Sequence, residues 1–144
     1  MTAATKNFDL RTLAIAQTAD MPVRDAGGEI VKNGDDAVSI TFHSPGSKAF
    51  QKAKHARDER NSTRVMARMQ GKSEGRLSAD EALAERAEFL AACTVTINNA
   101  TFSDKRGHEG FKALFSDLEL GHIADDAEKF LGERGNFKQV SATT

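Results

Sequence analysis

Val38-Ser39-Ile40-Thr41-Phe42-His43-Ser44-Pro45-Gly46-Ser47 is a junction between two kinds of chain. Val38, Ile40 and Phe42 alternate with Ser39, Thr41 and His43, the period of two that marks a half-buried strand. Ser-Pro-Gly-Ser then breaks the alternation, and a helical stretch begins. Ser44 can cap that helix with Pro45 at the first helical position, where a missing N–H costs nothing; Ser47 is a rival cap. Before the junction the chain reads as short strands, after it as helices. The expected class is therefore α+β. A small antiparallel β-meander occupies residues 21–42, and a mostly α-helical region of about four helices occupies 45–135.

Working back from the junction, Phe8 to Gln17 carries Leu10, Leu13 and Ala14 at helical spacing, which predicts a short helix. Met21-Pro22-Val23 reads as an edge strand or the start of one, because Pro cannot donate to a ladder. Asp25-Ala26-Gly27-Gly28 turns the chain. Glu29-Ile30-Val31 is a second strand, and Asn33-Gly34-Asp35-Asp36 a second turn. Asn-Gly between apolar runs favours a hairpin, since both residues accept positive φ. Residues 38–42 complete the three strands.

Working forward, the first long helix runs from Pro45 or Lys48 to Gln70, with Gly71 and Gly75 bracketing a break. Ser78-Ala79-Asp80-Glu81 fits a capping box, in which Ser and Glu each satisfy a free backbone N–H. The stripe Leu83, Ala87, Leu90, Thr94 and Ile97 predicts a helix over 78–97, although the β-branched run Thr94-Val95-Thr96-Ile97 blurs its end. Residues 98–107 form a loop. A short helix over 108–115 offers Phe111, Leu114 and Phe115 for burial. Ser116-Asp117-Leu118-Glu119 is a second capping-box match, opening a last helix over 118–132 with Leu120, Ile123, Ala127, Phe130 and Leu131 on one stripe. Residues 1–7 and 138–144 are expected to be flexible. The length of 144 residues suits one domain, 1–144.

Composition narrows the class. With 39% hydrophobic residues, no Trp and no Tyr, the core should be modest. A formal net charge of −1 argues against wholesale disorder. No apolar run reaches the length of a membrane span, and the N-terminus lacks the apolar region of a signal peptide. The single Cys93 cannot form an internal disulfide, so a reducing cytoplasm is the expected compartment.

Charge is unevenly distributed. Residues 48–76 carry nine Lys or Arg and three Asp or Glu, so the remainder is acidic. At about 100° per residue, Lys54, Arg57, Arg60, Arg64 and Arg68 share roughly a third of the helix circumference, and Asp58 and Glu59 point elsewhere. Ala49, Ala53, Ala56, Thr63 and Ala67 form an adjoining small-residue face able to lie close to another helix. Three readings compete for the basic face. It is a solvated surface or one balanced by Glu81, Glu85 and Glu88; it docks a protein partner; or it tracks a nucleic-acid backbone. No aromatic lies among the arginines to stack on bases, and no nucleic-acid partner is expected.

Other chemical motifs fail on context. Gly71-Lys72-Ser73 imitates the end of a phosphate-binding loop, but Met66 stands where that loop needs Gly, and a helix precedes it instead of a strand. His43, His55, His108 and His122 are scattered, and no spacing suits a metal site. Cys93 reads as a small packed thiol rather than a nucleophile. No nucleophile-and-base constellation is visible, so neither catalysis nor a cofactor is expected.

Several stretches, in order, resemble the small tail assembly chaperones of long-tailed, siphovirus-like bacteriophages. They are Phe8-Asp9-Leu10, Met21-Pro22-Val23-Arg24-Asp25-Ala26-Gly27-Gly28-Glu29-Ile30, the strand 38–42 with its turn to Ser47, and the basic helix. Glu88-Phe89-Leu90-Ala91-Ala92-Cys93-Thr94, Leu114-Phe115-Ser116-Asp117, the Ile123 helix and Arg134-Gly135-Asn136-Phe137 follow. Order and spacing over residues 8–137 carry the resemblance. Thr96-Ile97-Asn98 stands where the family often has a Gly-Trp pair. The resemblance implies a non-catalytic protein of the host cytoplasm, absent from the mature virion. It would bind the tape measure protein, keep it soluble and help recruit tail tube subunits, with tail tube protein and self-association as further partners. Lys54, Arg57, Arg60, Arg64 and Arg68 are the candidate partner-binding residues. The alternatives are a minor structural tail protein retained in the virion and a small nucleic-acid-binding regulator.

Overall fold

β-Branched and aromatic residues build the sheet on which the helices rest. The computed structural model describes residues 7–72 and 77–139. Its strands are β1 (Thr18–Pro22), β2 (Lys32–Asn33), β3 (Asp36–Ala37), β4 (Ser39–His43) and β5 (Thr94–Asn98). Its helices are α1 (Lys48–Met69), α2 (Ala79–Ala92), α3 (Gly107–Ser116) and α4 (Gly121–Gly132). A small antiparallel sheet and four helices make the protein α+β, as the junction implied. Among the described residues no helix is long and apolar enough to cross a membrane. The expectations for residues 1–6 and 140–144, for Gly75, and for Ser73 of the phosphate-loop imitation lie outside the described residues.

The main sheet has the order β1-β4-β5, all antiparallel, with β4 central. Ile40 and Phe42 point into the core at 1% and 0% exposure, while Ser39, Thr41 and His43 are half-buried on the other side. The expected alternation therefore holds. The outer face is tied by side chains: the Thr41 hydroxyl donates to Asp20 (2.5 Å), and the Asn98 amide donates to Ser39 and Thr41 (3.0 and 2.8 Å).

The third strand of this sheet comes from farther along the chain than the meander over 21–42 implied. Residues 29–31 contribute an isolated bridge between Ile30 and Arg24. β2 and β3 pair with each other as a separate hairpin, with Gly34 at φ 66° in its turn. β5 fills the place beside β4. The helix predicted over 78–97 ends instead at Ala92, and the region 45–135 contains a strand. The β-branched run drives this: Thr94, Val95, Thr96 and Ile97 lose side-chain freedom in a helix and fit a pleated surface. Thr94 seals the helix end by donating to the Leu90 carbonyl at 2.8 Å. The register shifts opposite Thr41 and Phe42, and Val95 is the extra residue of a bulge.

The helix starts follow local chemistry in part. Ser47 caps α1: its hydroxyl accepts from Phe50 N–H (3.1 Å) and donates to the Ser44 carbonyl (2.7 Å), which settles the choice against Ser44. The Ser78–Glu81 capping box is complete in both directions. The second box is not formed. Ser116 ends α3 by donating to the Lys112 carbonyl, and Asp117 caps a one-turn 3₁₀ segment over 118–120, so α4 starts only at Gly121. Hydroxyls and short carboxylates bond whichever backbone group is nearest, and at 116 the preceding helical turn is nearer. The helix expected over Phe8–Gln17 is a four-residue 3₁₀ turn, Leu10–Leu13, capped by Asp9.

Phe42 is the centre of the core. Its ring lies 6.3 Å from Phe115 and 6.0 Å from Phe130, and Phe130 meets Phe137 edge-on at 5.3 Å. α2 supplies Ala87, Phe89, Leu90 and Ala91 to the interior, α3 Leu114 and Phe115, and α4 Ala124, Ala127 and Leu131. The loop leading into α3 can fold back tightly on that helix because residue 110 is glycine. A Cβ there would lie 2.5 Å from the Lys105 carbonyl oxygen.

Candidate docking helix

Helix α1 holds every residue expected to bind a partner, and it is packed unlike the others. Only Ala53 of its 22 residues is buried. Its half-buried positions are Ala49, Phe50, Arg57, Arg60, Arg64 and Ala67. Taken with Ala53, positions 50, 53, 57, 60, 64 and 67 recur at intervals of three and four, the seam of a helix pair. Three of the five candidate arginines and lysines therefore occupy the seam itself.

That seam meets α2. The Arg57 guanidinium lies 4.0 Å over the Phe89 ring, and Phe50 meets the same ring edge-on at 5.8 Å. Arg60 and Arg64 converge on one carboxylate: Arg64 Nη1 donates to Glu85 at 2.5 Å, and Arg60 Nε lies 3.5 Å from its other oxygen. Arg64 also donates to Asn61. The side chains of Arg64, Arg60 and Glu85 retain 15%, 33% and 24% exposure. Such partly desolvated pairs are stronger than surface bridges and cost more when one partner is lost.

Lys54 bridges outward to Asp58 at 3.0 Å, and the hydrogen bond holds that carboxyl below its ordinary value. Arg68 is exposed and engaged in contacts of its own. Of the balancing acids, Glu85 pairs with α1. Glu81 serves the cap, where Ser78 lowers its pKa, and Glu88 turns the other way toward α3. The small-residue face divides: Ala53 and Ala67 join the seam, and Ala56 and Thr63 are exposed.

Two bridges were not visible in sequence. His108 Nε2 lies 3.1 Å from both oxygens of Glu88, with Lys112 at 3.4 Å, which ties α2 to α3. Arg86 reaches from α2 to Asp125 (2.7 Å) and the Gly121 carbonyl (3.3 Å) at the start of α4. No spacing rule finds pairs between separate helices.

The C-terminal end of α1 closes in a Schellman turn. Gly71 at φ 74° donates to the Arg68 carbonyl (2.9 Å), and Lys72 to that of Ala67 (2.9 Å). The Gly71-Lys72 pair thus terminates a helix, and a helix C-terminus is the wrong pole for a phosphate. Cys93 is fully buried, and burial pushes its thiol up to about 12, leaving it inert. Among the described residues no group of three or more His, Cys, Asp or Glu can hold a metal ion.

At its far end α1 leaves three apolar side chains in solvent beside the exposed Arg68 and Gln70. Val65, Met66 and Met69 are 49%, 60% and 82% exposed, with Leu77 beyond the turn at 36%. No protein-family model, no curated protein and no solved structure matches this chain.

Proposed function

We propose that this chain is a tail assembly chaperone of a long-tailed bacteriophage. It binds the tape measure protein during tail morphogenesis, keeps it soluble, helps recruit tail tube subunits and acts in the host cytoplasm without catalysis. The order of matching stretches over residues 8–137 supports the reading. The structural observation that carries it is α1, a 22-residue helix with one buried residue. Such a helix offers most of its circumference to another chain, as a protein that coats a long helical partner needs. Its excess of cations favours encounter with an acidic partner.

The test is co-expression with the tape measure protein of the same phage. That protein should be soluble and co-purify only when this chain is present. Equal solubility without it, or no co-purification, sinks the reading. Mass spectrometry of purified virions should find the chain missing or strongly substoichiometric. Stoichiometric copies would instead make it a minor structural tail protein.

A further inference from the structure

β5 is an outer strand of the main sheet, and among the described residues β4 is the strand it pairs with. The N–H and C=O groups on the far side of an outer strand point away from its neighbour and can pair with another chain. Among the described residues, no backbone hydrogen bond from the loop over 99–106 or from α3 reaches residues 94–98. A cavity of about 450 Å³ lies against this strand, between it, the loop and the start of α3. Both Thr96 and Ile97 line it. Successive residues of a strand point to opposite faces, so a cavity that touches both opens at the strand's edge. Ile97, Phe102 and Phe111 give it apolar walls, and all three are half-buried against the core.

Lys105 and Arg106 line the same cavity, both exposed and neither in an ion pair with another described residue. Asp104 is the acid of the lining, and Glu109 in the first turn of α3 lies outside it. That first turn has no side-chain cap, so the helix pole adds to the positive field. A single cavity therefore offers backbone pairing, apolar walls and cations. A C-terminal aliphatic residue in extended conformation carries the three matching groups at once: a backbone able to add to the sheet, an apolar side chain and a carboxylate. We infer that the cavity beside β5 captures the free C-terminus of an extended partner chain. The partner adds to the edge of β5, with its last side chain among Ile97, Phe102 and Phe111 and its carboxylate toward Lys105 and Arg106. This goes beyond the chaperone reading and does not depend on it.

The probe is an array of short synthetic peptides varied at their last two positions, each made as the free acid and as the C-terminal amide. Binding to the full chain is read by fluorescence anisotropy. A subset ending in an aliphatic residue should bind as the free acid. Amidation should weaken that binding by about tenfold or more, because charge-assisted hydrogen bonds are lost. This comparison is made on wild type and needs no variant to fold. K105Q/R106Q should weaken the free acids by a similar factor, with circular dichroism as the fold control. K48Q/K52Q, at exposed α1 lysines outside the cavity, should change nothing. Hydrogen exchange at β5 amides should slow when peptide binds. No binding by any free acid overturns the proposal, as does equal binding of acid and amide or of K105Q/R106Q and wild type. Binding that leaves the β5 amides unprotected overturns it too, because the peptide is then not part of the sheet. None of these outcomes bears on capture of the tape measure protein.

Discussion

Helices α1 and α2 follow one another in the chain and obey different rules. α2 buries Ala87, Phe89, Leu90 and Ala91 among 14 residues, whereas α1 buries Ala53 among 22. α2 faces a core built on Phe42. Among the described elements α1 packs chiefly on α2, through a seam whose middle is arginine and glutamate. Apolar burial is non-directional and scales with area, so it makes the body around α2 hard to divide. An ion-pair seam gives register and direction but little net stability, because desolvation offsets the attraction. The body should therefore unfold as a unit, and α1 should open from it more readily.

The largest test of the contrast is in the body. Phe42→Ala should cost about 3–5 kcal/mol by removing the ring at the centre of the core, measured by denaturant melts. A loss below about 1 kcal/mol would mean that the core is not organised around Phe42. Next is Gly110→Ala, which forces a methyl group against the Lys105 carbonyl and should cost about 1–3 kcal/mol. An unchanged melt would show that the loop yields at no cost and that the body is looser than its packing implies.

Glu85→Gln tests the seam. It removes the charge shared by Arg60 and Arg64 and should cost about 1–2 kcal/mol, concentrated in α1. Hydrogen exchange should quicken at α1 amides and stay unchanged in β4. Uniform quickening through both would mean that α1 and the body are one cooperative unit. Reversing Arg60 and Arg64 to Glu would set two more carboxylates against Glu85, so loss of partner binding in that variant would also report a disturbed hairpin.

The smallest effect is in acid. Burial works to raise the Glu88 pKa, but the His108 hydrogen bond and the Lys112 charge outweigh it, leaving it below its ordinary value of 4.5. A depressed carboxylate stabilises the fold above its unfolded pKa, and that contribution is lost as pH falls through the lowered folded value. Acid below about 4.5 should therefore loosen α2 from α3, and Glu88→Gln should flatten that part of the pH–stability curve. If Glu88→Gln leaves the acid limb unchanged, other carboxylates govern it.

Legibility in sequence tracked the range of the interaction. The β4 alternation, the Gly71 terminator and the Ser78–Glu81 box are contacts within a few residues, and all three were readable. The Ser116 box failed because Ser116 had a competing acceptor on its own helix. β5 was half-legible: the β-branched run marked a break in the helix, but nothing local said that it would pair with β4.

For the candidate site, sequence determined that Arg57, Arg60 and Arg64 share a face, because helical geometry places every residue at a known angle. It determined equally that Val65, Met66 and Met69 lie off that face. Which face turns inward was decided only by the tertiary structure. Glu85 and Phe89 of α2 sit where the arginines can reach them, so the charged stripe became the seam and the methionines remained outside. The physical reason is that arginine's long apolar stem and planar head pack on a ring and a carboxylate as well as they face water. Charge alone therefore does not say which side of a helix is out, and the partner helix does.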